Sequence, residues 1–169
     1  MKRKPKGKAK KPRRLTHLDR KGRAHMVDVS AKPVTLREAV AGGSIRMSRE
    51  ACRAIRSRQA AKGDAIALAR VAGIAAAKKT SELVPLCHAI PLEHVGVDIR
   101  FKDDGRSVEV TATARARWST GVEMEALVAA TIALLTLYDM AKAIDRGMTL
   151  ESVRLLRKSG GRSGEYVRT

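Results

Sequence analysis

Two pairs of charged residues stand out because they interrupt a stretch that is otherwise apolar. From about Val122 to Ile144 the chain is nearly all Ala, Leu, Met, Val and Ile, yet it carries Glu123, Glu125, Asp139 and Lys142. On a helix Asp139 and Lys142, three residues apart, are neighbours on one face. An isolated pair of this kind is usually a surface ion pair worth less than about 1 kcal/mol. On a helix this apolar both charges are expected to be at least partly buried, and an acid/base pair is one reason to keep them there. Glu123 and Glu125 open the same helix, where the helix dipole favours acids without any catalytic role. Glu125 lies roughly 20 Å along the axis from Asp139, too far to share one small-molecule site on one straight helix. An antiparallel copy of the helix alongside would bring the Glu125 of one subunit near the Asp139 of the other.

His88 lies beside Cys87 in the loop Pro85–Pro91, where the two prolines exclude regular structure. A histidine held this way is better placed for proton transfer than for filling a core. No metal site is expected: His17, His25, His88 and His94 lack ligand spacing, and adjacent Cys87 and His88 match no zinc pattern. Burial is the plain expectation for the thiol of Cys52. Lys62 beside Gly63 is by itself an ordinary solvated lysine. The run Lys158–Gly164 (KSGGRSG) has the makings of an anion-binding loop, with backbone amides beside a cation. Together these lysines, the histidine and three carboxylates suit proton transfers on a polyanionic substrate.

The elements that must hold these residues are legible in outline. Val34–Met47 alternates like a strand and is expected to break or bulge at Gly42–Gly43. Ser48 and Asp64 are N-caps of two successive helices, the second with apolar residues at helical spacing from Ile66 to Ala77. His94–Phe101 and Ser107–Ala116 alternate on either side of an Asp-Gly turn, which reads as a hairpin. The apolar helix from about Val122 to Ile144 follows, then a strand over Met148–Leu156. The segment Thr16–Lys32 reads as extended or loop. This order is an α+β layout, a mostly antiparallel sheet with helices packed on one face.

Composition alone points elsewhere. The net charge of +18 on 169 residues would ordinarily indicate nucleic acid. Residues 1–14, however, hold nine of the 35 lysines and arginines and no acid, so half of the excess sits in a tail expected to be disordered. The remaining residues, 15–169, form a single expected domain. Aromatic residues make up only 2% of the chain, which leaves little for base stacking and argues against nucleic acid as a partner. A core of small aliphatic residues also implies that subunit association contributes stability. No apolar run is read as long enough to span a bilayer, no signal core follows the basic start, and two cysteines without CxxC spacing suit a reducing cytoplasm.

The strings HMVDVSAK (25–32), KGD (62–64), PLCH (85–88), GVEMEAL (121–127), YDMAKA (138–143) and VRLLRKSGGRSG (153–164) resemble the signature blocks of the cyclic pyranopterin monophosphate synthase family of molybdenum cofactor biosynthesis. The resemblance covers about residues 15–166. It implies a ferredoxin-like fold and a lyase that takes the cyclised triphosphate made from GTP by a partner radical enzyme. The product is cyclic pyranopterin monophosphate, released with pyrophosphate. It also implies a homohexamer, a trimer of dimers with sites at subunit interfaces. Matched residue by residue, the family's active-site positions are Lys62, His88, Glu123, Glu125, Asp139, Lys142 and Lys158, with Arg37 a further candidate. The stretches Leu86–Cys87–His88 and Met124–Glu125 match its substrate contacts. No cofactor is required by such chemistry, although Mg²⁺ can accompany the triphosphate. On chemical grounds Asp139 with Lys142 is the leading acid/base pair, with His88 a second proton carrier. Lys62, Lys158 and Arg37 would clamp phosphate. The rivals are a nucleic-acid-binding protein, a metal-dependent phosphohydrolase, for which the acids are too interleaved with lysines, and an oligomeric scaffold.

Overall fold

The computed structural model of the chain describes residues 17–19, 21–57 and 63–169. The basic tail over 1–14 and Lys62 lie outside the described residues. Five strands form one sheet in the order β2-β3-β1-β4-β5, every neighbouring pair antiparallel. They are β1 (Thr35–Arg46), β2 (His94–Phe101), β3 (Ser107–Trp118), β4 (Thr149–Ser159) and the two-residue β5 (Tyr166–Val167). Between them run α1 (Arg49–Arg56), α2 (Ala65–Ala77), α3 (Thr80–Leu83) and α4 (Glu123–Ala141). The first four strands, in the order 4-1-3-2 with a crossover helix in each half, are the ferredoxin-like arrangement expected from the sequence.

Alternation determines which face of the sheet is covered. In β3 Val108, Val110, Ala112, Ala114 and Ala116 are buried while Glu109, Arg115 and Arg117 are exposed. Ala39, Ala41 and Ile45 of β1 point to the same covered side, against α4. The hairpin turn is fastened by Asp104, which accepts from the backbone amides of Arg106 and Ser107 (both 2.8 Å) and from Ser107 Oγ (2.6 Å). These bonds hold its carboxyl down at about 2.

The expected break at Gly42–Gly43 does not stop the strand. β1 runs through both glycines, and the irregularity lies in its pairing with β4, where the register shifts twice. Close approach explains the glycines. A Cβ on Gly42 would meet Leu156 and the Val110 carbonyl, and one on Gly43 would meet Leu134 and Val153. The extra residues in β4 include Ser152, whose φ of 56° is that of a bulge.

Both expected caps are present. Ser48 Oγ accepts from the amide of Ala51 at 3.1 Å, and Asp64 Oδ1 accepts from Ile66 and Ala67 at 3.1 and 3.0 Å. α2 packs against both α4 and β2, and burial reaches the backbone where the two helices cross: a Cβ on Gly73 would come within 2.8 Å of the Ala129 carbonyl. Contrary to the expectation from the sequence, one apolar run among the described residues does reach bilayer length. It is α4, by length and composition alone, but half of that stretch is buried inside the chain, as in a core helix. α4 ends at Ala141 with Lys142 as its cap, short of the expected Ile144, because Ile144 and Asp145 donate back to the Ala141 carbonyl in a tighter final turn. α3 and β5 were not anticipated. Four and two residues are too few for a periodicity to be visible.

Candidate active site

Four chain segments meet at one end of the sheet: the start of β1, the end of β3, the first turn of α4, and the end of β4 with its glycine loop. Strand pairing dictates this, since Ala39 of β1 lies opposite both Ala114 of β3 and Lys158 of β4. A polyanion-sized cavity of about 640 Å³ opens there, lined by Arg37, Lys158, Arg162, Gly160, Gly161, Ser163, Thr120 and Glu123 among others. Lys158 Nζ is 2.8 Å from Glu123 Oε1 and 3.4 Å from Ser163 Oγ, with both members of the ion pair largely covered. Arg37 is buried, and its guanidinium donates to the carbonyls of Trp118 (3.1 Å) and Ser119 (3.3 Å). Glycine is demanded beside it. Gly160 and Gly161 have φ of 95° and 72°, and side chains there would strike the Leu36 carbonyl and the Arg37 guanidinium.

A second cavity of about 380 Å³ adjoins the first and is lined by Leu86, Cys87, His88, Ile90, Met124, Glu125, Val27, Val29 and His17. The two share Lys32, Thr120, Gly121 and Glu123 as a common wall. His88 Nε2 lies 2.8 Å from the Val27 carbonyl. A carbonyl only accepts, so Nε2 carries the proton and Nδ1 is left as the basic nitrogen of the neutral ring. That bond also ties the proline-bracketed loop to the N-terminal segment that roofs this half.

Glu125 is 3% exposed, and its Oε2 has no hydrogen-bond partner. Burial pushes its carboxyl up to about 7, its own backbone amide opposes that shift, and the nearby charge of Glu123 adds to it. A buried carboxyl poised near neutrality in a cleft can give or take a proton. Burial, followed by the charge of Glu125, raises the Cys87 thiol, so Cys87 lines the cavity as a thiol and not as a thiolate nucleophile.

The cleft thus brings together eight of the residues expected from the sequence: Arg37, Leu86, Cys87, His88, Glu123, Met124, Glu125 and Lys158. It does not include Asp139 and Lys142. These pair at 2.6 Å at the opposite end of α4, half-exposed within the single chain. Sequence reasoning missed His17, Lys32, Thr120 and Arg162. Arg162 carried a signal by lying in the glycine run already read as anion-binding, and Lys32 ended the block HMVDVSAK without being given a role. Among the described residues no group of three His, Cys, Asp or Glu could hold a metal ion.

The MoaC family profile matches residues 26–161. Cyclic pyranopterin monophosphate synthases of Roseiflexus sp. and Thermomicrobium roseum are 55% and 53% identical to this chain, over 90% and 91% of it and 97% and 93% of their own lengths. That of Novosphingobium aromaticivorans is 55% identical over 90% of this chain and 96% of its own length. The span 26–161 contains the lining of both cavities except His17, Arg162 and Ser163, together with Asp139 and Lys142 at the far end of the helix. The chain belongs to the MoaC family.

Proposed function

We propose that this chain is a cyclic pyranopterin monophosphate synthase, a lyase that converts the cyclised GTP-derived triphosphate to cyclic pyranopterin monophosphate and pyrophosphate. The observation that carries this reading is the two-part cleft. A cationic half with glycine-loop amides suits a triphosphate, and a half with a buried carboxyl, an imidazole and apolar walls suits a ring undergoing proton transfer. Lys158, Arg37 and Arg162 hold phosphate oxygens, while Glu125 and His88 face the ring system as proton carriers.

Asp139 and Lys142 enter from a neighbouring subunit. They lie too far along α4 to reach the cleft of their own chain. α4 also leaves Met124 and Leu135 exposed, and Leu127 and Ile132 only partly covered, in the single chain. A homohexamer built as a trimer of dimers, with composite sites, satisfies both facts. In such a site Asp139 and Lys142 are the central acid/base pair for opening the purine and rebuilding it as a pterin, with Lys62 a further cation. The chemistry needs no redox cofactor, and Mg²⁺ has a place only as the counter-ion of the triphosphate. The setting is cytoplasmic, downstream of the radical enzyme that cyclises GTP. Supplying that cyclised triphosphate to the purified protein yields pyrophosphate and, after oxidation, a fluorescent pterin. Substrate returned unchanged, or hydrolysed to a non-cyclic monophosphate, would refute the reading.

A further inference from the structure

Among the described residues one cation borders both halves of the cleft. Of the four residues in the common wall, Thr120 and Gly121 are neutral, Glu123 is acidic, and Lys32 alone is basic. Lys32 ends the roofing segment, and its backbone amide donates to the Val29 carbonyl at 3.0 Å, closing a turn that sets the side chain at the junction. Two other cations of the phosphate half are already engaged, Lys158 with Glu123 and Arg37 with two carbonyls, and Arg162 borders that half alone. No ion pair or side-chain hydrogen bond among the described residues engages the Lys32 ammonium, although its charge is felt by Asp28.

We infer that Lys32 is a catalytic residue of the phosphate-closing step, placed at the bond between the α-phosphate and the departing pyrophosphate. This rests on the reading above, which sets the triphosphate in one half and the ring system in the other. The α-phosphorus, joined to both, must then lie at the common wall. In the step a substrate hydroxyl oxygen bonds to the α-phosphorus, and the bond from that phosphorus to the bridging oxygen breaks. The electron pair stays on pyrophosphate, and the hydroxyl proton passes to Glu123, the carboxylate that, among the described residues, borders both halves. Negative charge grows on the bridging oxygen as the bond stretches, so an ammonium at that point strengthens its interaction in the transition state. The phosphate-half cations, by contrast, bind charge present from the outset.

The test is a split between kcat and KM together with binding of inorganic pyrophosphate, both on the full chain. Lys32→Met is expected to lower kcat roughly 10²–10³-fold, as for removal of one transition-state donor, with KM moving far less. Lys32→Arg is expected to recover part of that loss, and pyrophosphate affinity measured by calorimetry is expected to fall several-fold in Lys32→Met. Unchanged kcat, or a rise in KM alone, overturns the assignment. So does equal pyrophosphate affinity in wild type and a Lys32→Met protein whose circular dichroism and assembly match wild type. The calorimetry needs no turnover, so it still judges Lys32 if the wild-type protein fails to convert the cyclised triphosphate, an outcome that would reject the proposed function instead.

Discussion

At the residue scale the cleft is a set of charges whose partners define their roles. Lys158 is held by Glu123 at 2.8 Å, so a bound triphosphate must draw the ammonium from its carboxylate. Lys158→Ala should therefore raise KM about tenfold or more with less effect on kcat, as steady-state kinetics would show. Glu125 makes a prediction of the opposite kind. Its carboxyl is raised to about 7 from an ordinary 4.5, so between those values the folded chain holds a proton that the unfolded chain releases. Stability is fully present below the lower value and falls as pH rises through the upper one, by on the order of 3 kcal/mol. Glu125→Gln cannot ionise, and denaturant unfolding at pH 5 and pH 8 should show the decline in wild type and its loss in the variant. Residues in dense motifs, such as Glu123, Glu125 and Lys158, were legible in the sequence because unusual types sit close together. Lys32 and His17 were not, because each lies in a polar coil where nothing local separates a functional side chain from a solvated one.

At the element scale the caps and the hairpin were legible for a physical reason: Ser48, Asp64 and Asp104 satisfy amides within three residues of themselves. The behaviour of Gly42–Gly43 was not, because what demands those glycines is Leu156, Leu134 and Val153, contributed by elements far along the chain. The same holds at Gly73, where α2 crosses α4 too closely for a side chain. Gly73→Ala should cost about 1–3 kcal/mol by overpacking and lower Tm by roughly 3–10 °C in a thermal melt. Its kinetics at low temperature should stay near wild type, since Gly73 lies outside both cavities. In the glycine loop the order of effects reverses. Gly161→Ala forces a side chain into the Arg37 guanidinium at a φ of 72° and should reduce triphosphate affinity about tenfold or more in calorimetric titration, with a smaller loss of stability.

At the scale of the whole molecule, the proposed assembly joins the cleft of one chain to the remote Asp139–Lys142 pair of another. Glu125 and the Asp139–Lys142 pair sit at opposite ends of one straight helix, and that separation was already readable from residue numbers, because a helix converts sequence distance directly into length. What the sequence left open was which residues the fold gathers around Glu125; strand register decides that. The decisive measurement is complementation between two variants, Glu125→Ala and Asp139→Asn, each expected to be nearly inactive alone. When co-expressed and purified as mixed assemblies, random pairing leaves about a quarter of the sites with both residues intact. Pyrophosphate release from the cyclised triphosphate should then recover to about that fraction of wild type. Recovery no greater than the sum of the two separate variants would contradict composite sites and place the chemistry within single chains.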